Sequence, residues 1–478
     1  MRQHGSLGQM LMLSRRHLLG AAVGSLALGQ PPRVGQAAPE PTEFPKDFIW
    51  GASTSSYQIE GAVNADGRGK SIWDTFCHTP GHVKGNDTGD VACDHYHRWG
   101  EDIDLLARGG FNAYRFSIAW PRILPAGGGA VEHRGLDFYD RLVDGLLQRQ
   151  VTPWICLYHW DLPQALQDAG GWLNRDTCEK FAEYARIMAK RLGDRVRHWA
   201  TFNEPNVHAL FGHGVGSHAP GITGLPNMLA AAHHLNLAHG RALQALRAER
   251  PDLRLGTVMS LQPVRPSSDS GADRRAAERF DAMWNGACLD PLLKGSYPAA
   301  ATADFAPLVA SADLAAIHQK MDFVGVNYYA PMYVADAPNT LFGAWFGAVP
   351  QGTKFTAMGW PIDPGGLTEE LIGLRARYGD LEIYVTENGA CYDDPVAADG
   401  IVHDEDRIAY LRDHLAAAQR ALAAGVRLRG YFVWSLLDNF EWAEGYGRRF
   451  GVVHVDFATL KRTPKASFNF LAGEMRRT

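Results

Sequence analysis

The sequence predicts an α/β protein built as a single (β/α)8 TIM barrel with long βα loops at the C-terminal face of the strands. Short runs of apolar, β-branched or aromatic residues recur along the chain. Each run is apolar throughout, which is typical of strands that are buried on both faces. Amphipathic helical patterns separate the runs and indicate right-handed crossovers in a parallel sheet. Eight such units favour a closed barrel over an open doubly wound sheet.

The strands are predicted at positions 48–53, 113–118, 152–158, 196–203, 253–260, 323–328, 383–387 and 430–435. Helices between them are predicted at 136–150, 176–192, 227–249 and 404–424. The first two βα loops and the segment 330–366 exceed the usual few residues, which is typical of loops that form a functional site. Because no linker interrupts the pattern, residues 38–478 are predicted to form one domain.

The first 37 residues resemble a twin-arginine signal peptide. Arg15 and Arg16 precede an apolar run at 18–28, and the small-residue site at 35–37 would release Ala38 as the new N-terminus. An anchor helix is the alternative, but the run is shorter than the roughly 20 residues that span a bilayer. The pattern predicts that the precursor meets the twin-arginine export machinery, without stable membrane insertion, and that the mature protein is periplasmic or secreted.

Charge and cysteine spacing exclude some classes of function. The chain carries 47 basic and 52 acidic residues, and this net charge of −5 argues against a nucleic-acid partner, which would need a basic face. The six cysteines form no Cys-x-x-Cys motif, which argues against a zinc or redox site. An exported protein can form disulfides, whereas a twin-arginine substrate folds before export, so disulfide pairing stays open. The oligomeric state also stays open.

Two glutamates at the ends of predicted strands carry the functional prediction. Glu204 lies in the motif TFNEP at 201–205, and Glu387 lies in TENG at 386–389. Cleavage of a glycosidic bond needs two facing carboxyl groups, one protonated as an acid and one ionised. Either motif alone is compatible with a helix cap or a turn. Together they predict a glycosidase.

TFNEP followed by TENG resembles the retaining β-glycosidases of glycoside hydrolase family 1. The likeness runs from about residue 44 to residue 470. It includes further motifs in the same order: FIWGA at 48–52, YQIEG at 57–61, YRFS at 114–117, YHWDLP at 158–163, GVNYY at 325–329 and WSLLDNFEW at 434–442. The resemblance implies an exo-acting β-glucosidase that hydrolyses a small-molecule β-glycoside or an oligosaccharide through a covalent glycosyl-enzyme, with no cofactor and no metal.

The same resemblance implies the catalytic roles. Glu204 corresponds to the acid/base and needs a raised pKa, while Glu387 corresponds to the nucleophile and must stay ionised. Arg115 is expected to keep Glu387 ionised, the Tyr329 hydroxyl to donate to it, and Asn327 to support the pair from a strand end. Retention requires carboxyl groups roughly 5–5.5 Å apart, against about 6.5–9.5 Å for inversion.

A second set of residues matches the positions at which the family binds the sugar. Asn203 is expected to hold the 2-hydroxyl, Glu441 to accept from two neighbouring hydroxyls, and Trp434 to stack on the ring. The full set of predicted substrate-binding residues is Gln58, His159, Trp160, Asn203, Trp434, Glu441, Trp442 and Phe450.

The residue at 441 also bears on the substrate. Relatives that hydrolyse 6-phosphorylated glycosides usually carry a small residue there, followed by a lysine and a tyrosine, so Glu441 implies an unphosphorylated sugar. Arg448 and Arg449 are expected to face solvent. His233 and His234 are adjacent on a predicted helix and point to different faces, and His95 and His97 lie near the first helix, so neither pair is predicted to bind metal.

Three alternatives remain beside hydrolysis with retention. A transglycosidase would pass the sugar from the covalent intermediate to an acceptor other than water. A non-catalytic sugar-binding relative would usually lack one of the two carboxylates, and an inverting hydrolase would use a different motif pair. The preference among glucose, galactose and fucose, the aglycone and the balance between hydrolysis and transfer stay open.

Overall fold

The computed structural model describes residues 42–477. The predicted signal peptide, residues 1–37, lies outside the described residues. Within residues 42–477, eight parallel strands close into a barrel in which each strand pairs with its sequence neighbours and β1 pairs with β8. They are β1 (Ile49–Ser53), β2 (Ala113–Ser117), β3 (Thr152–Tyr158), β4 (His198–Asn203), β5 (Arg254–Ser260), β6 (Phe323–Asn327), β7 (Ile383–Asn388) and β8 (Leu428–Trp434).

The predicted barrel is confirmed, and every predicted strand end lies within two residues of the observed one. The largest differences at a strand start are in β4 and β8, at two residues each, and β4 begins at His198 and not at 196. Val196 still belongs to the turn that ends the preceding helix, because its N–H donates to the Leu192 carbonyl at 2.9 Å. β8 begins earlier than predicted, at Leu428, which pairs with Ile383 of β7.

Helices of eight residues or more surround the barrel at His95–Gly109, His133–Gln148, Asp176–Leu192, Leu225–Glu249, Gly271–Asp281, Ala287–Lys294, Pro364–Tyr378, Glu405–Ala423 and Ala466–Met475. Shorter α-helices lie at Ser56–Ile59, Ile72–Cys77, Trp120–Ile123, Gln164–Asp168, Pro205–Val207, Thr302–Phe305 and Asp313–Ile317. Turns of 3₁₀-helix lie at Lys84–Asn86, Gly171–Leu173 and Trp442–Gly447, and π-helical turns at His208–Val215 and Ala282–Gly286.

The helix Asp176–Leu192 illustrates why these segments are helical. Acidic residues occupy its first turn and basic residues its last, which complements the helix dipole. Its apolar face buries Phe181, Tyr184 and Met188, each with no exposed surface, against the barrel and the neighbouring helix. Burying one such side chain contributes about 1.5–3 kcal/mol, so packing, and not local propensity alone, fixes the helix.

The lower half of the barrel interior is filled by side chains. Trp154, Phe323 and Tyr384 each lie within the first three residues of their strand and contact one another, and Phe432 packs against Trp154 with ring centroids 5.2 Å apart. The barrel is therefore a packed core at its N-terminal end, and only its C-terminal end has room for a site.

Two small sheets lie outside the barrel. A three-stranded sheet joins Val264–Pro266, Met332–Asp336 and Ala344–Phe346, so part of the predicted long loop 330–366 is β-structure. A hairpin joins Val453–Asp456 and Lys461–Pro464 near the C-terminus. No helix in the described part of the chain is long and apolar enough to span a bilayer. All six cysteines lie in that part and are buried free thiols.

Candidate active site

The loops after the barrel strands hold several site residues in an unusual backbone conformation. Glu204 directly follows β4 with φ of 45°, Trp160 follows β3 with φ of 74°, and Trp442 has φ of 49°. Left-handed conformations of this kind cost a non-glycine residue roughly 1–3 kcal/mol and persist where the surroundings enforce them. The Glu204 N–H donates to the Val258 carbonyl of β5 at 2.8 Å, which fixes its direction.

The glycine of TENG allows β7 to approach β8. A Cβ on Gly389 would lie 1.8 Å from the carbonyl oxygen of Trp434. Any larger residue would push apart the two strand ends that carry Glu387 and Trp434. Gly389 therefore holds the carboxylate and the indole at one side of the same pocket.

Each carboxylate oxygen of Glu387 accepts a hydrogen bond from a side chain that favours its ionised form. The Arg115 Nη1 donates to Oε1 at 2.7 Å, and the Tyr329 hydroxyl donates to Oε2 at 2.7 Å. Burial raises the pKa of Glu387 above its ordinary value, and Arg115 and Tyr329 oppose that rise. A charge-assisted bond on each oxygen leaves this carboxylate oriented and ionisable.

Glu204 lies in a different environment. The Asn327 Nδ2 donates to its Oε1 at 3.0 Å, and no cation lies in ion-pair contact with its carboxyl within the described residues. Burial, followed by the negative charge of Glu387, raises the pKa of Glu204 to about 8. The two glutamates are therefore unequal at neutral pH, with the proton held by Glu204.

Asn203 fixes the state of His159. Its Oδ1 accepts from Arg115 Nη2 at 2.5 Å and from Asn327 Nδ2 at 3.0 Å, so its Nδ2 must be the atom that faces His159. That Nδ2 donates to His159 Nε2 at 2.9 Å. Burial and Arg115 lower the pKa of His159 well below its ordinary value. The ring is neutral, and its remaining Nδ1–H, buried without a partner, is a donor for a ligand.

Gln58 and Glu441 form a second group of polar side chains at the pocket. The Gln58 Oε1 accepts from Ser55, and its Nε2 donates to Asn439 at 2.9 Å, to the Phe440 carbonyl at 2.9 Å and to Glu441 at 3.4 Å. Burial and then the Glu387 charge raise the pKa of Glu441 well above its ordinary value. With this one long bond to Gln58, the Glu441 carboxyl group retains capacity for ligand hydroxyls.

The structure brings the predicted site residues together. A pocket at the C-terminal end of the barrel is lined by Glu204 and Glu387 and by the predicted residues His159, Trp160, Tyr329, Trp434, Glu441, Trp442 and Phe450. The other predicted residues lie behind this wall and reach it through hydrogen bonds: Gln58, Arg115, Asn203 and Asn327. The indoles of Trp160 and Trp442 pack with centroids 4.7 Å apart.

Another wall of the pocket is apolar and was not predicted. It consists of Val207, Phe211, Trp284, Met332, Phe346, Val349, Met358 and Trp360. These residues come from the short helix Pro205–Val207, the π-helical turns, the three-stranded sheet and the loop that follows it. Trp360 packs against Tyr329 and Phe450, with centroids 5.1 and 5.8 Å apart, and so joins this wall to the polar residues. No motif marks these positions in the sequence.

The expectation that Arg448 and Arg449 face solvent is wrong. Arg449 donates to Asp438 at 2.8 Å, Arg448 donates to Glu444 at 3.0 Å, and about three quarters of each arginine side chain is buried. Both charges are neutralised by partners inside the protein.

The histidine pairs have structural partners. His233 contacts Asp313 and Tyr297, and His95 contacts Asp102. Among residues 42–477, no group of three His, Cys, Asp or Glu side chains is arranged to hold a metal ion.

The chain is similar to known proteins over most of its length. The model of glycosyl hydrolase family 1 matches residues 40–477. The chain is 48% identical to beta-glucosidase A of Thermotoga maritima over 430 residues, covering 89% of this chain and 96% of that protein. It is 46% identical over 458 residues to a bifunctional beta-D-glucosidase/beta-D-fucosidase of Bifidobacterium breve, covering 89% and 97%.

A solved family 1 β-glucosidase from Thermotoga maritima superposes with a TM-score of 0.88 at 46% identity, covering 91% of this chain and 98% of that one. The same score and coverage apply to the complex of the Thermotoga enzyme with deoxynojirimycin. A family match over nearly the whole described chain, together with this level of identity, shows that the chain belongs to glycosyl hydrolase family 1.

Proposed function

We propose that this protein is a retaining exo-β-glucosidase that hydrolyses terminal non-reducing β-D-glucosyl residues by double displacement. The observation that carries the proposal is the inequality of the two carboxyl groups: Glu387 has a donor on each oxygen, whereas the pKa of Glu204 is raised to about 8. Two carboxyl groups whose pKa values are pushed apart are suited to be nucleophile and acid.

In the first step, Glu387 attacks the anomeric carbon as the glycosidic C–O bond breaks. Glu204 gives its proton to the departing oxygen, so the aglycone leaves as a neutral alcohol and the sugar is held as an ester of Glu387. Arg115 and Tyr329 stay on the Glu387 oxygens and hold the carboxylate in its attacking orientation. Both roles require Glu387 ionised and Glu204 protonated, which is the state that the raised pKa of Glu204 favours.

The second step reverses the roles. Formation of the ester removes the Glu387 charge, which is one of the causes of the raised pKa of Glu204. Glu204, ionised since it gave its proton to the aglycone, is therefore stable as a carboxylate and accepts a proton from the incoming water, which restores its starting state. Water attacks the anomeric carbon from the side that the aglycone left, so the product keeps the β configuration.

Glucose recognition is proposed to use the polar wall of the pocket, which consists of His159, Glu204, Glu387, Trp434 and Glu441, with Asn203 behind it. The His159 Nδ1–H and one Nδ2 hydrogen of Asn203 are available donors, and the carboxyl group of Glu441 is an available acceptor. Trp434 provides a flat face for the sugar ring. Glu387 is negatively charged here, and none of the described residues that line the pocket is a lysine or an arginine, so an unphosphorylated sugar is preferred over a phosphorylated one.

The apolar wall is proposed to receive the aglycone. The Trp284 indole is already bonded to Gln262 at 2.6 Å, so it offers its ring and not its N–H to a ligand. Alkyl or aryl aglycones therefore gain more from this wall than a second sugar does. Alcohols that bind there could also intercept the glycosyl-enzyme, which keeps transglycosylation as the second candidate activity.

A substrate panel tests the proposed function. We expect release of the aglycone from 4-nitrophenyl β-D-glucoside, and lower kcat/KM for the β-D-galactoside and β-D-fucoside. The relative from Bifidobacterium breve carries the last activity in its name. The 6-phosphoglucoside and the α-glucoside should not react. Faster hydrolysis of the 6-phosphoglucoside than of the glucoside would contradict the proposal.

Export by the twin-arginine route is proposed from residues 1–37 alone. We expect a precursor with Arg15 and Arg16 both changed to lysine to accumulate in the cytoplasm, while the unchanged precursor yields mature enzyme outside it. Equal cytoplasmic accumulation of both proteins on cell fractionation would contradict the proposal.

A further inference from the structure

Behind the pocket, the described residues place a buried cluster of alternating charges that the reaction does not use. Its members are Asp394, Asp404, Arg407, Asp438, Arg449 and Lys465. The Lys465 side chain has no exposed surface, and its Nζ donates to Asp394 at 2.5 Å and to Asp438 at 2.7 Å. A lysine is rarely buried completely unless its charge is paired, because removing an ammonium group from water costs free energy. The complete burial of Lys465 therefore calls for a structural or functional reason.

Asp438 closes the base of a loop that leaves and returns to the barrel. Its Oδ1 accepts from the Gly451 N–H at 3.0 Å as well as from Lys465, and its Oδ2 accepts from Arg449 at 2.8 Å. Gly451 is required because a Cβ there would lie 2.0 Å from the Asp438 nitrogen. The Lys465 N–H also donates to the Val452 carbonyl at 2.9 Å. Lys465 therefore contacts both sides of the loop base.

This loop, residues 438–451, carries Glu441, Trp442 and Phe450, which line the pocket. The connection from its base to Glu441 is short and rigid. Asn439 accepts from Gln58 at 2.9 Å, and the Phe440 N–H donates to the Gln58 carbonyl at 3.2 Å. Glu441 follows Asp438 by only three positions, so a displacement at Asp438 would reach Glu441 along the backbone and would also shift Asn439 and Phe440 against Gln58.

The same cluster also reaches the strand of Glu387. Arg407 donates to the carbonyl of Ala390, three residues after Glu387, at 3.1 Å and to Asp394 at 2.7 Å. Lys465 thus joins the loop that presents Glu441 to the segment that follows Glu387. The two segments meet in the described structure through this ammonium group, through Arg407, which also donates to the Arg449 carbonyl, and through a β-bridge between Tyr392 and Arg449.

We propose that Lys465 is a positioning residue for sugar recognition, whose buried ammonium group sets the loop 438–451 so that Glu441 faces the substrate. The inference rests on the proposed glucosidase function but adds a residue that does not touch the pocket. Lys465 lies between the last hairpin and the last helix, so a residue far from the pocket in sequence would control how Glu441 contacts the sugar.

The test compares Lys465→Met with the unchanged protein on 4-nitrophenyl β-D-glucoside, with rates expressed per active site labelled by 2-deoxy-2-fluoro-β-D-glucosyl fluoride. We expect kcat/KM to fall by up to about 10²-fold, mainly through KM, because misplacement by about 1 Å suffices for such a loss. An unchanged kcat/KM per labelled site would overturn the inference. If the protein without any substitution hydrolysed no glucoside, the proposed function would be overturned instead.

A double-mutant cycle with Glu441→Gln separates positioning from general damage. If Lys465 acts through Glu441, the double variant should lose no more than about threefold beyond Glu441→Gln alone. Losses that multiply would show that Lys465 acts independently of Glu441 and would overturn the inference.

Two further variants complete the design. Asp438→Asn removes the carboxylate through which the loop contacts Lys465, while Lys465 keeps its bond to Asp394. This variant tests the same inference if Lys465→Met does not fold. The same rise in KM is expected. Asp313→Asn is the matched control, because Asp313 is also a buried aspartate with two side-chain partners, Arg175 and His233, in the outer helical layer. It should lower Tm but leave KM unchanged; equal KM changes in both aspartate variants would overturn the inference.

Discussion

The two walls of the pocket are built in different ways. On the polar wall, each side chain has its orientation fixed by at least one other: Asn203 is held by Arg115 and Asn327, and it in turn holds His159. On the apolar wall, residues such as Phe346 and Met358 contribute shape and contact area but no directed bonds into the pocket. We therefore expect the polar wall to discriminate among sugars more strongly than the apolar wall discriminates among aglycones. Substitutions on the polar wall should therefore lower activity more than substitutions on the apolar wall.

The largest effect is expected at Glu387. Replacement by alanine removes the nucleophile and should lower kcat by about 10⁵-fold or more, as for other enzymes that lose the attacking group. Azide fits the vacated space and should restore turnover, with an α-glycosyl azide as product. Product analysis by NMR checks this, with Asp313→Asn as the folded control. Restored activity with a β-azide would reverse the two roles.

Glu204→Ala should have the next largest effect, and the effect should depend on the leaving group. Loss of a general acid costs about 10²–10⁴-fold where the leaving oxygen needs a proton. The kcat/KM for methyl β-D-glucoside should fall by that factor, whereas that for the 2,4-dinitrophenyl glucoside should change little. Azide should now give the β-glycosyl azide. Equal losses on both substrates would contradict the acid role.

The third prediction concerns pH. The nucleophile Glu387 must be ionised, so kcat/KM should fall at acidic pH. The acid must be protonated in the free enzyme, and its pKa is raised to about 8, so kcat/KM should also decline above that pH. The decline should be about tenfold per pH unit for the 4-nitrophenyl glucoside. A decline that begins near pH 5 would show that Glu204 does not hold the proton at neutral pH.

The smallest effect on kcat/KM is expected for changes in the contact between the aglycone and the apolar wall. Along a series from methyl to octyl β-D-glucoside the leaving group remains a simple primary alcohol, so kcat/KM should rise about 3–4-fold per buried methylene. Phe346→Ala should flatten the series. Phe355→Ala is the matched control, because Phe355 is 46% exposed and should leave the slope unchanged. A flat series in the unchanged enzyme would contradict an apolar aglycone site.

The same contrast explains what the sequence could predict. The barrel follows from strand-length apolar runs, and the polar wall follows from short motifs that coincide with strand ends, as Glu204 and Glu387 do. The apolar wall comes from segments far apart in the chain, such as Trp284 on a π-helical turn and Phe346 on a small sheet. An apolar residue in a loop gives no local sign that it faces a pocket. The partners of Arg448 and Arg449 are nearer in sequence, at Glu444 and Asp438, but only the folded conformation of the loop 438–451 turns these side chains toward each other.

The charges behind the pocket were equally hidden. Lys465 follows a hairpin and precedes a helix, and nothing in its neighbours indicates burial. Its two carboxylate partners, Asp394 and Asp438, lie 71 and 27 positions away in the sequence. Only the fold brings the three charges together.

The central claim is that Glu387 and Glu204 act in sequence through a covalent intermediate. The most direct measurement is proton NMR of the first anomer released from an aryl β-D-glucoside by the purified protein. The account predicts β-glucose, seen before mutarotation produces the α anomer. First appearance of α-glucose would mean inversion by a single displacement and would contradict the assignment of Glu387 as nucleophile.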